Sequence, residues 1–151
     1  MLKGIDNRLN AEVLGTLRAM GHGDCVVVVD TNFPADSVAR ATVTGKLLRM
    51  ENLTAAEAMN AILSVLPLDT FVDDFAGRME VVGKPEEVPP VQVEVQAEID
   101  RAEGRFRPLP GIERFAFYDL AKDAELIIRT GETRVYGNAL FRKGVTPVMP
   151  A

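Results

Sequence analysis

Few residues in this chain carry reactive side chains. Among 151 residues there is one cysteine, one histidine, no tryptophan and only two tyrosines. The lone Cys25 closes no disulfide within the chain, and one cysteine with one histidine cannot complete a tetrahedral zinc site. No G-x-G-x-x-G follows a strand pattern, which argues against a small dinucleotide-binding domain. Long apolar runs are missing too. The longest aliphatic run is Val26 to Val29, against the roughly 20 apolar residues that a bilayer span needs. "MLKGIDNRLN" has no apolar signal region, so a soluble, unexported, cytoplasmic protein without a membrane partner is expected. Positive charge is also scarce: 17 Lys and Arg lie scattered among 22 acids, for a formal net charge of −5. A chain without a clustered basic face is a poor ligand for a phosphate backbone, which excludes nucleic acid as the expected partner.

What is present reads as a folded core. Apolar residues make up 47% and charged residues 26%, and the length suits one domain spanning residues 1–151. "NAEVLGTLRAMG" predicts a helix capped by Asn10, with Val13, Leu14, Leu17 and Met20 on one face and Gly21 as its left-handed stop. "CVVVVD" predicts a strand buried on both faces, with Cys25 as a small core residue. "TNFPADS" reads as a loop, and "ATVTGKLLRM" as a strand pair or a strand bent at Gly45. "TAAEAMNAILSVLP" carries a capping box (Thr54 and Glu57) and an inward stripe of Met59, Ile62, Leu63 and Leu66, with Pro67 as its end. "RMEVVG" predicts a short strand and "KPEEVPP" a surface connection. "VQVEVQAEIDRAEG" alternates like an edge strand at first and then turns helical in composition, and a helix is favoured over a strand because the alternation stops at Gln96. A helix near 116–123, a buried strand at 125–129 and a last strand after Tyr136-Gly137-Asn138 complete the pattern. Helices alternating with aliphatic strands give an α/β fold, a sheet layered by helices.

Chemistry-bearing residues are sparse enough to weigh one by one. His22 and Asp30 bracket the aliphatic strand, and ligands in open α/β sheets bind beyond the carboxyl ends of strands, where Asp30 stands. The strand between them spans about 13 Å or more, so the two need not share one site within a chain. A solvated turn histidine and a capping aspartate are the plain alternative. "TGETRVYGN" offers a phenol, an amide and backbone donors around Gly137, and is equally readable as a hairpin turn. "RFAFYD" sets Arg114 beside aromatic faces, as a polyhydroxylated ligand or an ordinary surface would have it.

Taken together, "MLKGID", "MGHGD", "VDTNFP", "ERFAFYDLAK" and "TGETRVYGNALFRKGVTP" resemble the L-fucose mutarotases, the sister group of the D-ribose pyranases. The resemblance runs in order from residue 1 to about 147 and is weakest across 72–108. It implies a three-layer α/β/α domain with a largely parallel central sheet, self-associating into a ring-shaped homo-oligomer, commonly a decamer. It also implies interconversion of the α and β anomers of a free monosaccharide, most closely L-fucose, without cofactor or metal. By the same resemblance His22 is the proton-donating histidine, while Asp30, Arg114, Tyr136, Gly137 and Asn138 hold the sugar. Tyr136 or a water is then the partner in proton transfer. Thr31 departs from the small residue more usual after the aspartate and is expected at the pocket rim. The segment from Val82 to Gly111 departs in its length and its proline content.

The residues suit that chemistry. Ring opening needs a proton delivered to the ring oxygen and one removed from the anomeric hydroxyl, and imidazole exchanges protons near neutral pH. Carboxylate, guanidinium and amide groups match sugar hydroxyls as acceptors and donors. The competing expectations are a non-catalytic monosaccharide-binding or assembly protein of the same fold, and a D-ribose pyranase.

Overall fold

Valine sets the centre of the molecule. The computed structural model, which describes residues 1–151, places Val26–Val29 in strand β1 (Cys25–Val29), each at most 1% exposed. β-Branched side chains with no polar alternation suit a strand covered on both faces. Around it run β2 (Leu47–Met50), β3 (Ala76–Met79), β4 (Gly111–Ile112), β5 (Leu126–Thr130) and β6 (Ala139–Arg142). The order across the sheet is β2-β5-β1-β6-β3-β4. Pairings are parallel except those of β6, which runs against both β1 and β3.

Helices cover both faces, giving the three layers. Val26, Val28, Leu126, Ile128 and Phe141 face a core packed by α1 (Ala11–Ala19), α3 (Ala55–Leu63) and α4 (Pro90–Glu103). Val27, Val29, Ile127 and Leu140 face the second core, under α2 (Ala35–Ala39) and α5 (Arg114–Lys122). This alternation is the pleat made visible: neighbours along one strand serve opposite layers. No helix is long and apolar enough to cross a membrane.

Local signals explain most boundaries. Asn10 accepts from the Val13 N–H at 2.9 Å, and Thr54 with Glu57 makes the reciprocal box that starts α3. Met59, Ile62 and Leu66 are buried, with Leu63 packed alongside. The proline-rich connection ends in Pro90, the first residue of α4, and Gly104 stops that helix in the left-handed conformation.

Several expectations need correction. α1 ends through an extended Met20, and the left-handed glycine is Gly23 rather than Gly21. The stretch read as a loop after Asn32 contains the single-turn helix α2. Residues 40–46 form turns, so β2 is one short strand. α3 ends at Leu63 with Ser64 as its cap, ahead of Pro67. β3 runs from Ala76 to Met79, starting two residues early where Ala76 pairs with Phe141, and α5 begins two residues early, at Arg114, where Glu113 caps it. Cys25 is only partly buried, yet packs against the second core, and burial pushes its thiol up to about 11. A thiol so held is not a nucleophile at neutral pH.

Candidate functional site

Asp30 lies at the carboxyl end of β1 and is 1% exposed. One carboxylate oxygen accepts from the N–H groups of Asn32 and Phe33 at 2.8 and 2.9 Å. The other accepts from the Gly137 N–H at 3.0 Å. The Asp30 N–H in turn donates to the Asn138 side-chain oxygen at 2.9 Å. Burial holds the carboxyl above its ordinary value against the pull of those donors. Two hydrogen bonds, from the Gly137 N–H to Asp30 and from the Asp30 N–H to Asn138, thus fasten the "VDTNFP" segment to the "YGN" turn, although more than 100 residues separate them.

The turn has a specific shape. Tyr136 is the only non-glycine residue with positive φ, at 66°, so the left-handed residue is the tyrosine and not the glycine beside it. Gly137 is needed for space instead. A Cβ there would lie 2.9 Å from Glu132 Cγ and 3.4 Å from Asp30 Cβ. Glu132 is itself buried, accepting from Arg134 and from the Ala55 N–H at the start of α3.

A cleft of about 350 Å³ opens over this junction, within the size range of small-molecule sites. Asp30, Arg114, Tyr136 and Asn138 line it together with Tyr118 and Met79. Arg114 occupies the first turn of α5, and its Nε donates to the Tyr118 hydroxyl at 3.0 Å. Its guanidinium lies 5.5 Å from the ring centres of Phe115 and Tyr118. The Tyr136 hydroxyl accepts from the Val82 N–H at 3.2 Å, which leaves its own proton free to donate. Asn138 turns its oxygen to the Asp30 backbone, and one N–H of its amide donates to Met79 Sδ at 3.8 Å, which leaves the other N–H unbonded at the cleft. Thr31, expected at the rim, is not part of the lining: its hydroxyl donates to the Glu132 carbonyl at 3.0 Å.

His22 is elsewhere. It precedes β1, at the end of the sheet opposite Asp30, and the strand alone separates the two by about 13 Å. There its Nε2 meets Asp69 Oδ2 at 3.0 Å, and its ring packs edge-on to Phe71 with centres 5.5 Å apart. Asp69 is 3% exposed. The Phe71 N–H, and after it His22, hold its carboxyl below the usual range. A carboxylate only accepts, so Nε2 carries the ring proton and Nδ1 is left as the basic atom. Arg107 completes the support, donating to the Asp69 carbonyl at 2.8 Å and stacking 3.6 Å over the Phe75 ring.

The candidate residues therefore fall into two places. Asp30, Arg114, Tyr136, Gly137 and Asn138 meet at one end of the sheet, and His22 stands at the other. Residues 3–146 match the model of the RbsD / FucU transport protein family. The chain belongs to that family. Among RbsD / FucU relatives, human fucose mutarotase is 42% identical over 99% of this chain and 97% of its own length. The crystal structure of protein Atu2016 is 63% identical with a TM-score of 0.95, covering 97% of both chains. The fucose mutarotase of Streptococcus pneumoniae, solved in complex with L-fucose, is 33% identical with a TM-score of 0.86, covering 97% of this chain and all of its own.

Sequence reasoning missed Tyr118 and Asp69. The first was visible as the residue four after Arg114 in a helix, the spacing at which side chains meet. Asp69 carried no local signal, since its pairing with His22 spans 47 residues.

Proposed function

We propose that this protein interconverts the anomers of a free monosaccharide, L-fucose by preference, as a cytoplasmic homo-oligomer. The observation that carries the reading is the cleft itself, where residues from three distant motifs converge in a chain whose named relatives are fucose mutarotases. Asp30 is committed to backbone donors on both oxygens and so fixes the floor, with its remaining lone pairs available to sugar hydroxyls. Arg114 and the Asn138 amide donate to hydroxyl oxygens from the walls.

The proton transfers need a second group besides Tyr136. In the reaction the anomeric hydroxyl loses its proton, the bond from the anomeric carbon to the ring oxygen breaks, and that oxygen gains a proton. Rotation of the resulting aldehyde and closure on its other face reverse both transfers. His22, with Nδ1 basic and Asp69 behind it, is equipped for one transfer, and the Tyr136 phenol for the other. Since one chain holds them at opposite ends of its sheet, the working site takes His22 from a neighbouring copy. A ring-shaped assembly, in which each subunit presents one end of its sheet to the next, supplies that arrangement.

The test is exchange between the anomeric proton signals, followed by saturation-transfer NMR on L-fucose, D-ribose and a panel of other free sugars. The protein accelerates exchange on L-fucose most, and His22→Ala returns it to the spontaneous rate. Sugar binding without faster exchange would replace this reading with a non-catalytic binder, for which a single chain's cleft is sufficient. Fastest exchange on ribose would make the protein a D-ribose pyranase.

A further inference from the structure

Gln92 is a buried side chain with both of its polar atoms bonded, and nothing in the reaction described above needs it. It lies in the first turn of α4 and is 2% exposed. Its Nε2 donates to the carbonyls of Met79 at 2.7 Å and Tyr136 at 3.0 Å, while its Oε1 accepts from Arg78 Nη1 at 3.2 Å. With two carbonyls on one side and a guanidinium on the other, the carboxamide fits in one orientation only. Turned over, it would set oxygen against oxygen and N–H against N–H.

The carbonyl it holds belongs to the one strained residue in the chain. A bulky side chain at φ 66° occupies a sparsely populated conformation that persists only where surroundings enforce it. Gln92 is the side chain bonded to that residue's backbone. The other end of Tyr136, its hydroxyl, accepts from the Val82 N–H. Arg78 links the two holds. Besides Gln92, it donates to the carbonyls of Pro85 and Glu87, in the segment that follows Val82. Both ends of the tyrosine thus trace back to one buried guanidinium–amide pair.

We propose that Gln92 is a positioning residue for Tyr136, fixing the left-handed backbone that sets the phenol at the cleft wall, with Arg78 bracing it. Its consequence for turnover rests on the mutarotase reading; its consequence for the geometry of the turn does not. A misplacement of about 1 Å in a reacting group costs up to about a hundredfold in rate.

Two variants test it. Gln92→Met removes all three bonds, and Gln92→Glu keeps the size and the bond from Arg78 but withdraws both donors. In each, amide hydrogen exchange is read at Val82, whose protection comes from the Tyr136 hydroxyl, and in β1 and β5 as a reference. The expected result is Val82 exchange at least about tenfold faster with the strand amides unchanged, and anomer exchange slowed by about tenfold or more. Unchanged Val82 exchange overturns the proposal. Acceleration of all amides in parallel, the mark of a merely structural residue or of a variant that does not fold, overturns it too. If the unaltered protein exchanges no sugar anomers, the mutarotase reading fails, and the Val82 comparison still decides the role of Gln92.

Discussion

At the scale of single residues, two buried carboxylates near the cleft are handled in opposite ways. Glu132 has an arginine on it, and the Arg134 guanidinium holds its carboxyl down at about 2, against an ordinary 4.5. Asp30 has only neutral backbone donors, and burial wins, raising its carboxyl. Their linkage to stability has opposite sign. The contribution of Glu132 is fully present above about pH 4.5 and is lost as pH falls through about 2. Ionised Asp30 costs stability as pH rises past its ordinary value, so it works against that trend. Urea denaturation at a series of pH values checks this. Glu132→Gln is expected to lose a few kcal/mol at neutral pH and to flatten the decline between about pH 4.5 and 2. An unchanged acid slope would show that the carboxylate is not held as described. The sequence disclosed Asp30 as a candidate because of its place at a strand end. It disclosed nothing of Glu132 or Gln92, whose roles come from partners brought together only by the fold.

Among the elements, those with a strong period and chemical punctuation were legible in advance. α1, β1, α3 and β5 all had either a cap, a stripe or an unbroken aliphatic run long enough to read, whereas α4 begins with the alternation of an edge strand and was legible only from its later half. α2 and β4, at five and two residues, are too short to show any period and owe their form to what surrounds them. The turn at Tyr136 was legible as a turn, though its left-handed residue was not, because glycine is the ordinary occupant and a tyrosine there is enforced from outside. The cap of α3 gives an element-scale prediction. Thr54 accepts from the Glu57 N–H and Glu57 from the Thr54 N–H. Thr54→Ala should therefore cost about 1 kcal/mol in urea denaturation. Since Glu132 holds the Ala55 N–H of the same helix start, the double variant with Glu132→Gln should lose more than the sum of the two. Simple additivity would mean that the two caps act independently.

For the whole molecule, the sheet decides what one chain can do. Its strands carry Asp30 and the other residues of the cleft to one end and leave the His22–Asp69 pair at the other, a full strand length away. The sequence showed that separation as an arithmetic of strand rise, and the proposed assembly is what would bring the two ends together. A direct measurement mixes two variants, His22→Ala and Tyr136→Phe, each carried to the spontaneous rate of anomer exchange on its own. Unfolded together and refolded at equal amounts, random assembly pairs an intact His22 with a neighbour's intact cleft at about a quarter of the sites. Saturation-transfer NMR on L-fucose should then recover about a quarter of the unaltered rate. A mixture that stays at the spontaneous rate would contradict a site completed by a neighbouring copy.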